Sequence, residues 1–393
     1  MGAKRLSTLG MALAITLAGL MPQPAPAADG KGGPLGRFIS PDFCGAVVIH
    51  PLRIQESTLA AAIKSALPKD GPSASAAPLA MLQAQKNAPP GMDVEKLSKL
   101  IDPKTIHRVV VLVDPLPVPG VQASPGIIVQ FNTDVDGAAI LAAVAKDWQP
   151  AETAGTKYQK TKNPKAGQPD LAACVTDART MIAGLEVTVV KMLAPNQQGS
   201  QPLLEQLKHT SLNNDIVVEF LAEPLLAKLT KATGKTADEV LAGAGDPGAA
   251  VLAKEIKSVS LTLNFSGATL LHAEVVTSKD EAAGGLAMMA NMAMAAGKQK
   301  YEEAKKSPIP MVPPPVTGAL FKVGDEVFAG LTIKVEAARL VANLPMPASL
   351  PDALKTVTQI GATMLQGMSP GGPPAGGAPD ATGPRPAPSA KPK

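Results

Sequence analysis

The sequence predicts an α+β protein of two similar lobes, each an antiparallel sheet with helices packed on one face. Three observations carry this expectation. Val259, Leu261 and Leu263 alternate with Ser258, Ser260 and Thr262, the period-two pattern of a half-buried strand. Leu271, Ala273 and Val275 then alternate with His272 and Glu274, and a long helix follows. The same strand, strand, helix order occurs earlier, across residues 108–148. Thr133, Asp136, Ala138 and Ala139 recur as Thr277, Asp280, Ala282 and Ala283 at an offset of 144. Ala183-Gly184-Leu185 recurs as Ala329-Gly330-Leu331 at an offset of 146. Two matches in one order at nearly equal offset point to an internal duplication. The period is too long for a solenoid, so it implies two lobes rather than an array.

The chain opens like an exported protein. Lys4 and Arg5 precede an apolar run at residues 11–20 that is too short to span a membrane. Ala25-Pro26-Ala27 is a small-residue cleavage site, so residues 1–27 read as a signal peptide removed after Ala27. Residues 28–40 read as a flexible leader and 41–195 as the first lobe, with a Pro/Ala-rich insertion at 69–90. Residues 196–345 form the second lobe and 346–366 a C-terminal amphipathic helix. Residues 367–393 are Pro/Gly/Ala-rich and read as a disordered tail.

Within the first lobe, residues 44–50 form a buried strand ended by Pro51, and a helix runs through Leu59 and Ile63 to Leu67. Residues 94–101 form a short amphipathic helix. Strands follow at 109–113 and 126–131, joined by a Pro-punctuated connection. A helix then runs to Trp148, capped by Thr133 or Asp134. Short strands near Lys157, Ala172 and Met181 precede a helix around Val190. In the second lobe, residues 216–221 form a strand, and Pro224 enters a helix to Leu241. The hairpin and its long helix come next, capped by Ser278 with Glu281 three residues on. Residues 308–315 read as an extended spacer, and 320–323 and 327–333 as strands. The last helix carries Leu354, Val357, Ile360, Met364 and Leu365 on one face.

The hairpin register is constrained by side-chain parity. Leu271 and Val275 share a face with Leu261 and Leu263 only if paired numbers differ by an even amount. A three-residue loop, Phe265-Ser266-Gly267, meets this by pairing Leu261 with Leu271 and uses Gly267 as a left-handed residue.

Composition narrows the function classes. Apolar residues make up 45% of the 393, but aromatics only 3%, so the core must be Ala, Leu, Val and Met. There are 37 basic and 33 acidic residues, a net of +4. Much of that excess lies in the signal region and the tail. No basic block and few stacking aromatics argue against nucleic-acid binding. No apolar run of membrane-spanning length follows residue 27.

The candidate motifs are weak. Gly367-Met368-Ser369-Pro370-Gly371 matches the nucleophile elbow of serine hydrolases, but lies in the tail without a strand or helix to position it. Gly234-Lys235-Thr236 resembles the end of a phosphate loop, but the required first glycine is Leu229; a helix-end glycine is the simpler reading. Asn132 to Gly137 resembles half a calcium loop, but the twelfth position is Ala143 rather than a carboxylate. His50, His107, His209 and His272 show no ligand spacing. No catalytic residue, metal site or cofactor is assigned. Cys44 and Cys174 are the two cysteines, and export would permit a disulfide between them; two buried thiols is the alternative. Leu286, Met288, Met289 and Met292 mark an apolar groove along the long helix. Gly284 and Gly285 there suggest close approach, and unbranched thioethers adapt to varied apolar partners.

Residues 101–113 (Ile101-Asp102-Pro103-Lys104-Thr105-Ile106-His107-Arg108 and the Val-rich run after it) and 261–270 resemble segments of uncharacterised secreted proteins of planctomycete-type bacteria. The resemblance implies no activity. The sequence therefore leads to a non-enzymatic secreted or periplasmic protein with a binding or envelope-structural role. Its partner would be an apolar small molecule or another protein. The alternative is an exported hydrolase whose catalytic groups converge only in the fold.

Overall fold

A computed structural model describes residues 34–67, 94–114, 125–144, 148–162, 170–194, 202–210, 212–236, 239, 253–306 and 312–367. The signal peptide, the 69–90 insertion and the tail from residue 368 lie outside them.

The first half of the chain contributes β1 (Gly45–Ile49), β2 (Ile106–Val113), β3 (Gly126–Phe131), β4 (Trp148–Thr153), β5 (Thr156–Thr161), β6 (Leu171–Asp177) and β7 (Thr180–Leu185). Its helices are α1 (Pro51–Glu56), α2 (Thr58–Ala66), α3 (Val94–Leu100), α4 (Gly137–Val144) and α5 (Glu186–Leu193). The second half contributes α6 (Pro202–His209), β8 (Ile216–Leu221), α7 (Ala222–Thr233), β9 (Ile256–Leu263) and β10 (Thr269–Thr277). It ends with α8 (Asp280–Lys305), α9 (Pro314–Gly330), β11 (Thr332–Glu336), β12 (Arg339–Pro345) and α10 (Leu350–Gly367).

The fold is α+β, and its strands form one antiparallel sheet in the order β11-β12-β10-β9-β8-β1-β2-β3-β7-β6-β5-β4. β1 pairs with β8 at the centre, Val47 opposite Val218, so the two halves share a sheet instead of forming separate lobes. Outward from that seam the order repeats: β1-β2-β3-β7-β6 on one side, β8-β9-β10-β12-β11 on the other. The sequence matches fit this order unevenly. Thr133 follows β3 as Thr277 closes β10, but Gly184 lies inside β7 whereas Gly330 closes α9.

Helices cover both faces of the sheet, not one. On the upper face Ala46, Val48, Val110, Leu112, Ile128 and Ile182 pack under Val189 and Met192 of α5 and Leu203 and Leu207 of α6. On the lower face Val109, Ile127, Val129, Phe131 and Met181 pack under Ile140 and Val144 of α4, with Leu97 and Leu100 of α3 beside them.

Several elements differ from expectation. The hairpin parity holds, but Leu271 pairs with Leu263 and Ala273 with Leu261, two residues from the expected register. The Asn264 side chain accepts from the backbone N–H of Ser266 and Gly267, building an Asx-type turn that lengthens the loop. Residues 320–323 and 327–330 are helical within α9. Tyr301 of α8 stands edge-on to Phe321 and tilted against Phe328, so tertiary packing, not strand propensity, fixes these residues as one helix face. α7 stops at Thr233 because Gly234 takes a left-handed conformation, φ 66°. Trp148 opens β4 instead of ending a helix. Asp136 caps α4 by accepting from Ala139 N at 2.9 Å, while Asp134 pairs with Arg179. Ser278 bonds Glu255 and does not cap α8.

Candidate functional site

Directly paired residues of antiparallel strands share a face, so the lower face can be followed across the seam. Val111, Val47, Val218, Leu261 and Ala273 form one rung. Phe220, Val259 and Val275 form the rung on one side of it, and Ile49, Ile216, Leu263 and Leu271 the rung on the other. Every one of these side chains is only half-buried. The upper face at the same strands is the reverse. Val217, Glu219, Ser258, Ser260 and Thr262 are buried. The sheet thus hides hydroxyls and a carboxyl while leaving a continuous aliphatic face partly open. An apolar face left partly open to water is a candidate interaction surface.

The methionines of α8 extend the apolar character. Met288 and Met292, one turn apart, are 62% and 57% exposed. Leu286 and Met289 are half-buried. α8 buries Ala282, Ala283 and Ala287 instead and packs against β10, β12 and β11. Met288 and Met292 therefore face solvent and do not fill the core. Among the described residues a Cβ on Gly284 would meet nothing within 4 Å, so no described element approaches it closely.

Glu219 is the polar residue that sequence reasoning missed, although it interrupts the apolar run Ile216 to Leu221. It is 0% exposed in β8. Its Oε1 accepts from Thr210 at the end of α6 and from Ser260 of β9 at 2.7 Å, while Oε2 has no partner of good hydrogen-bond geometry among the described residues. Burial pushes its carboxyl above the ordinary range, against the opposing effect of those hydrogen bonds and of Gln206.

A second polar group gathers at the start of β2 and the ends of β1 and β8. His50 Nδ1 lies 2.9 Å from the Asn214 carbonyl oxygen, and its ring stands edge-on to His107 at 6.0 Å. Burial lowers the His50 pKa to about 4. Asp215 accepts from Arg53 at 3.2 Å and from Phe265 N. The imidazole and carboxylate that could do acid–base work are thus committed to holding α1, β8 and the β9–β10 loop together.

The remaining sequence candidates resolve individually. Thr236 and Glu239 bond reciprocally as a capping box, so Gly234-Lys235-Thr236 belongs to the end of α7 and the cap after it. His272 Nδ1 bonds Asn343 at 2.7 Å. Cys44 and Cys174 are both buried, each thiol donating to a backbone carbonyl, Val113 and Lys157 respectively. β2, β3 and β7 stand between β1 and β6, roughly 19 Å at ordinary strand spacing, so the structure does not bring the pair together. Most of the serine-elbow motif lies outside the described residues. Among the described residues no group of three His, Cys, Asp or Glu side chains could hold a metal ion, and no helix is long and apolar enough to cross a membrane.

No protein-family model matches the chain, and no curated protein matches it. Among solved structures, crystal form I of TP0453 is similar over 84% of this chain and 98% of that one, with 10% identity and a TM-score of 0.34. A likeness of that order carries no argument about what this chain does.

Proposed function

We propose that this is a non-enzymatic secreted or periplasmic binding protein that holds an apolar small molecule of the cell envelope. The export reading rests on residues 1–27, and membership of the planctomycete-type secreted group on the resemblance at 101–113 and 261–270. The observation that carries the binding reading is the half-open aliphatic face of β1, β8, β9 and β10. Its side chains are hydrocarbons, most of them branched aliphatics, which offer area without directional bonds and suit an acyl or similar chain. The solvent-facing Met288 and Met292, with Leu286 and Met289 beside them, supply an adaptable apolar rim.

The test is uptake of N-phenylnaphthylamine by the native protein. Wild type should enhance its fluorescence saturably. Leu261→Gln, which places an amide on the central rung, should abolish the enhancement while the protein stays folded. Met289→Gln with Met292→Gln should weaken it. A native protein that takes up no probe, or uptake indifferent to Leu261→Gln, would defeat the reading.

A further inference from the structure

We propose that the β11 edge of the sheet is a self-association surface, on which β11 of a second copy of this chain pairs antiparallel about Val335. An open sheet ends in two edge strands, and each leaves a row of backbone N–H and C=O groups unpaired. Here they are β4 and β11. Both belong to hairpins with two-residue loops, Ala154-Gly155 and Ala337-Ala338, whose flanking residues Thr153 and Thr156, and Glu336 and Arg339, are paired. The closing pair of such a loop exchanges hydrogen bonds, which fixes the direction of every group along the strand.

On β4 the backbones of Thr153, Ala151 and Gln149 face β5, and those of Glu152, Pro150 and Trp148 face outward. Pro150 stands in the middle of the outward row with no N–H, so that edge cannot template another strand. On β11 the backbones of Glu336, Lys334 and Thr332 face β12. Ile333 and Val335 face outward with both donors intact, and among the described residues no turn or loop bond takes them.

Three antiparallel pairings bring those outward groups together, but the one centred on Ile333 sets Val335 opposite Leu331, whose N–H already donates to the Val327 carbonyl, which leaves two. Centred on Lys334, the pairing sets that ammonium against its own copy. Centred on Val335, it sets Lys334 opposite Glu336 of the second copy, twice by symmetry. Opposite charges across strands are stabilising and like charges are not, so the second pairing is selected. Neither side chain has an ion-pair partner among the described residues. Val335 is 44% exposed at the edge of the sheet, and the pairing would cover it with its own copy. Thr332, Lys334 and Glu336 are also exposed, although α8 packs against β10, β12 and β11.

The experiment is sedimentation velocity of the full exported chain over a concentration series. Wild type should dimerise. Lys334→Glu and Glu336→Lys should each weaken the dimer by about tenfold or more, because each turns two attractive pairs into two repulsive ones. The double exchange should restore it. Val335→Pro removes an outward donor and leaves the β12 ladder intact, so it should give a folded monomer. As an independent measurement, Val335→Cys should crosslink to its own copy under mild oxidation. A wild type that stays monomeric throughout, or a dimer indifferent to both single charge changes, overturns the proposal.

Discussion

Glu219 and His50 are buried groups whose ionisation opposes folding from opposite sides of the pH scale. His50 is lowered from 6.5 to about 4 in the fold, chiefly by burial, with the Asn214 carbonyl working against the shift. The unfolded chain therefore binds a proton that the folded chain refuses between those values. Stability should be full above pH 6.5 and fall as the pH drops toward 4, by about 3 kcal/mol from this group. Urea midpoints measured across that range check it, and His50→Gln should flatten the dependence. Glu219 is raised by burial, so its contribution is full below the unfolded carboxyl value and is lost as the pH rises through the folded one. Glu219→Gln keeps an acceptor for Thr210 and Ser260 without the charge. It should raise Tm at pH 8 relative to wild type and have less effect at pH 4; a lower Tm at both would show that the carboxylate itself is needed. At the same scale, burial raises the Cys174 thiol, and both cysteines should resist thiol reagents until the chain is unfolded.

Two glycines separate helix propensity from packing at the level of the element. Gly284 in α8 has open space where a Cβ would stand. Gly284→Ala should stabilise the protein by about 0.5–1 kcal/mol through helix propensity alone. Gly324 in α9 has the Tyr301 ring at 2.5 Å from that position. Gly324→Ala gains the same propensity but must displace the ring that joins α8 to α9, and should cost about 1–3 kcal/mol net. Thermal denaturation of the two variants should therefore move in opposite directions. The elements most legible in the sequence were those with local signals. The strand ended by Pro51, the paired runs of β9 and β10, and the long helix after Thr277 carry such signals. α9 does not, because its Val and Phe residues favour strands and its helix packs on Tyr301, which lies in another element. The β9–β10 register was missed by two residues because one side chain, Asn264, sets the loop length.

The candidate site shows the same division between local and distant causes on the scale of the sheet. The alternation in β9 was legible, but its meaning was not. Ser258, Ser260 and Thr262 read as the wet face and are buried, whereas Val259, Leu261 and Leu263 read as core and are half-open. Period-two patterning identifies two faces; it does not say which one the remote helix α6 will cover. Thr210 at the end of α6 bonds Glu219, and Glu219 bonds Ser260, so the polar face is closed by a network that no single segment displays. The methionine face was legible as apolar helix periodicity, but its exposure was not, because α8 packs through alanines instead.

One sheet spanning both halves also makes a claim about cooperativity. A two-lobe protein can lose one lobe while the other stands, whereas a sheet paired through its centre transmits disorder across the seam. β1 and β8 meet there over five residue pairs, with Gly45 opposite Phe220. A Cβ on Gly45 would lie 2.4 Å from the Phe220 ring and 3.1 Å from the Glu219 carbonyl oxygen. The backbone oxygen leaves little room on that side, so the ring or the strand must move. Gly45→Val should therefore loosen the seam without touching either outer hairpin, at a cost of about 1–3 kcal/mol. Trp148, the one tryptophan, opens β4 at the far end of the first half and reports on that half by fluorescence. Far-ultraviolet circular dichroism reports on the whole sheet. In wild type the two urea transitions should coincide. In Gly45→Val they should separate, with the two probes now reporting different midpoints. Separate transitions already present in wild type would mean that the halves are held independently and that the β1–β8 ladder joins them without coupling them.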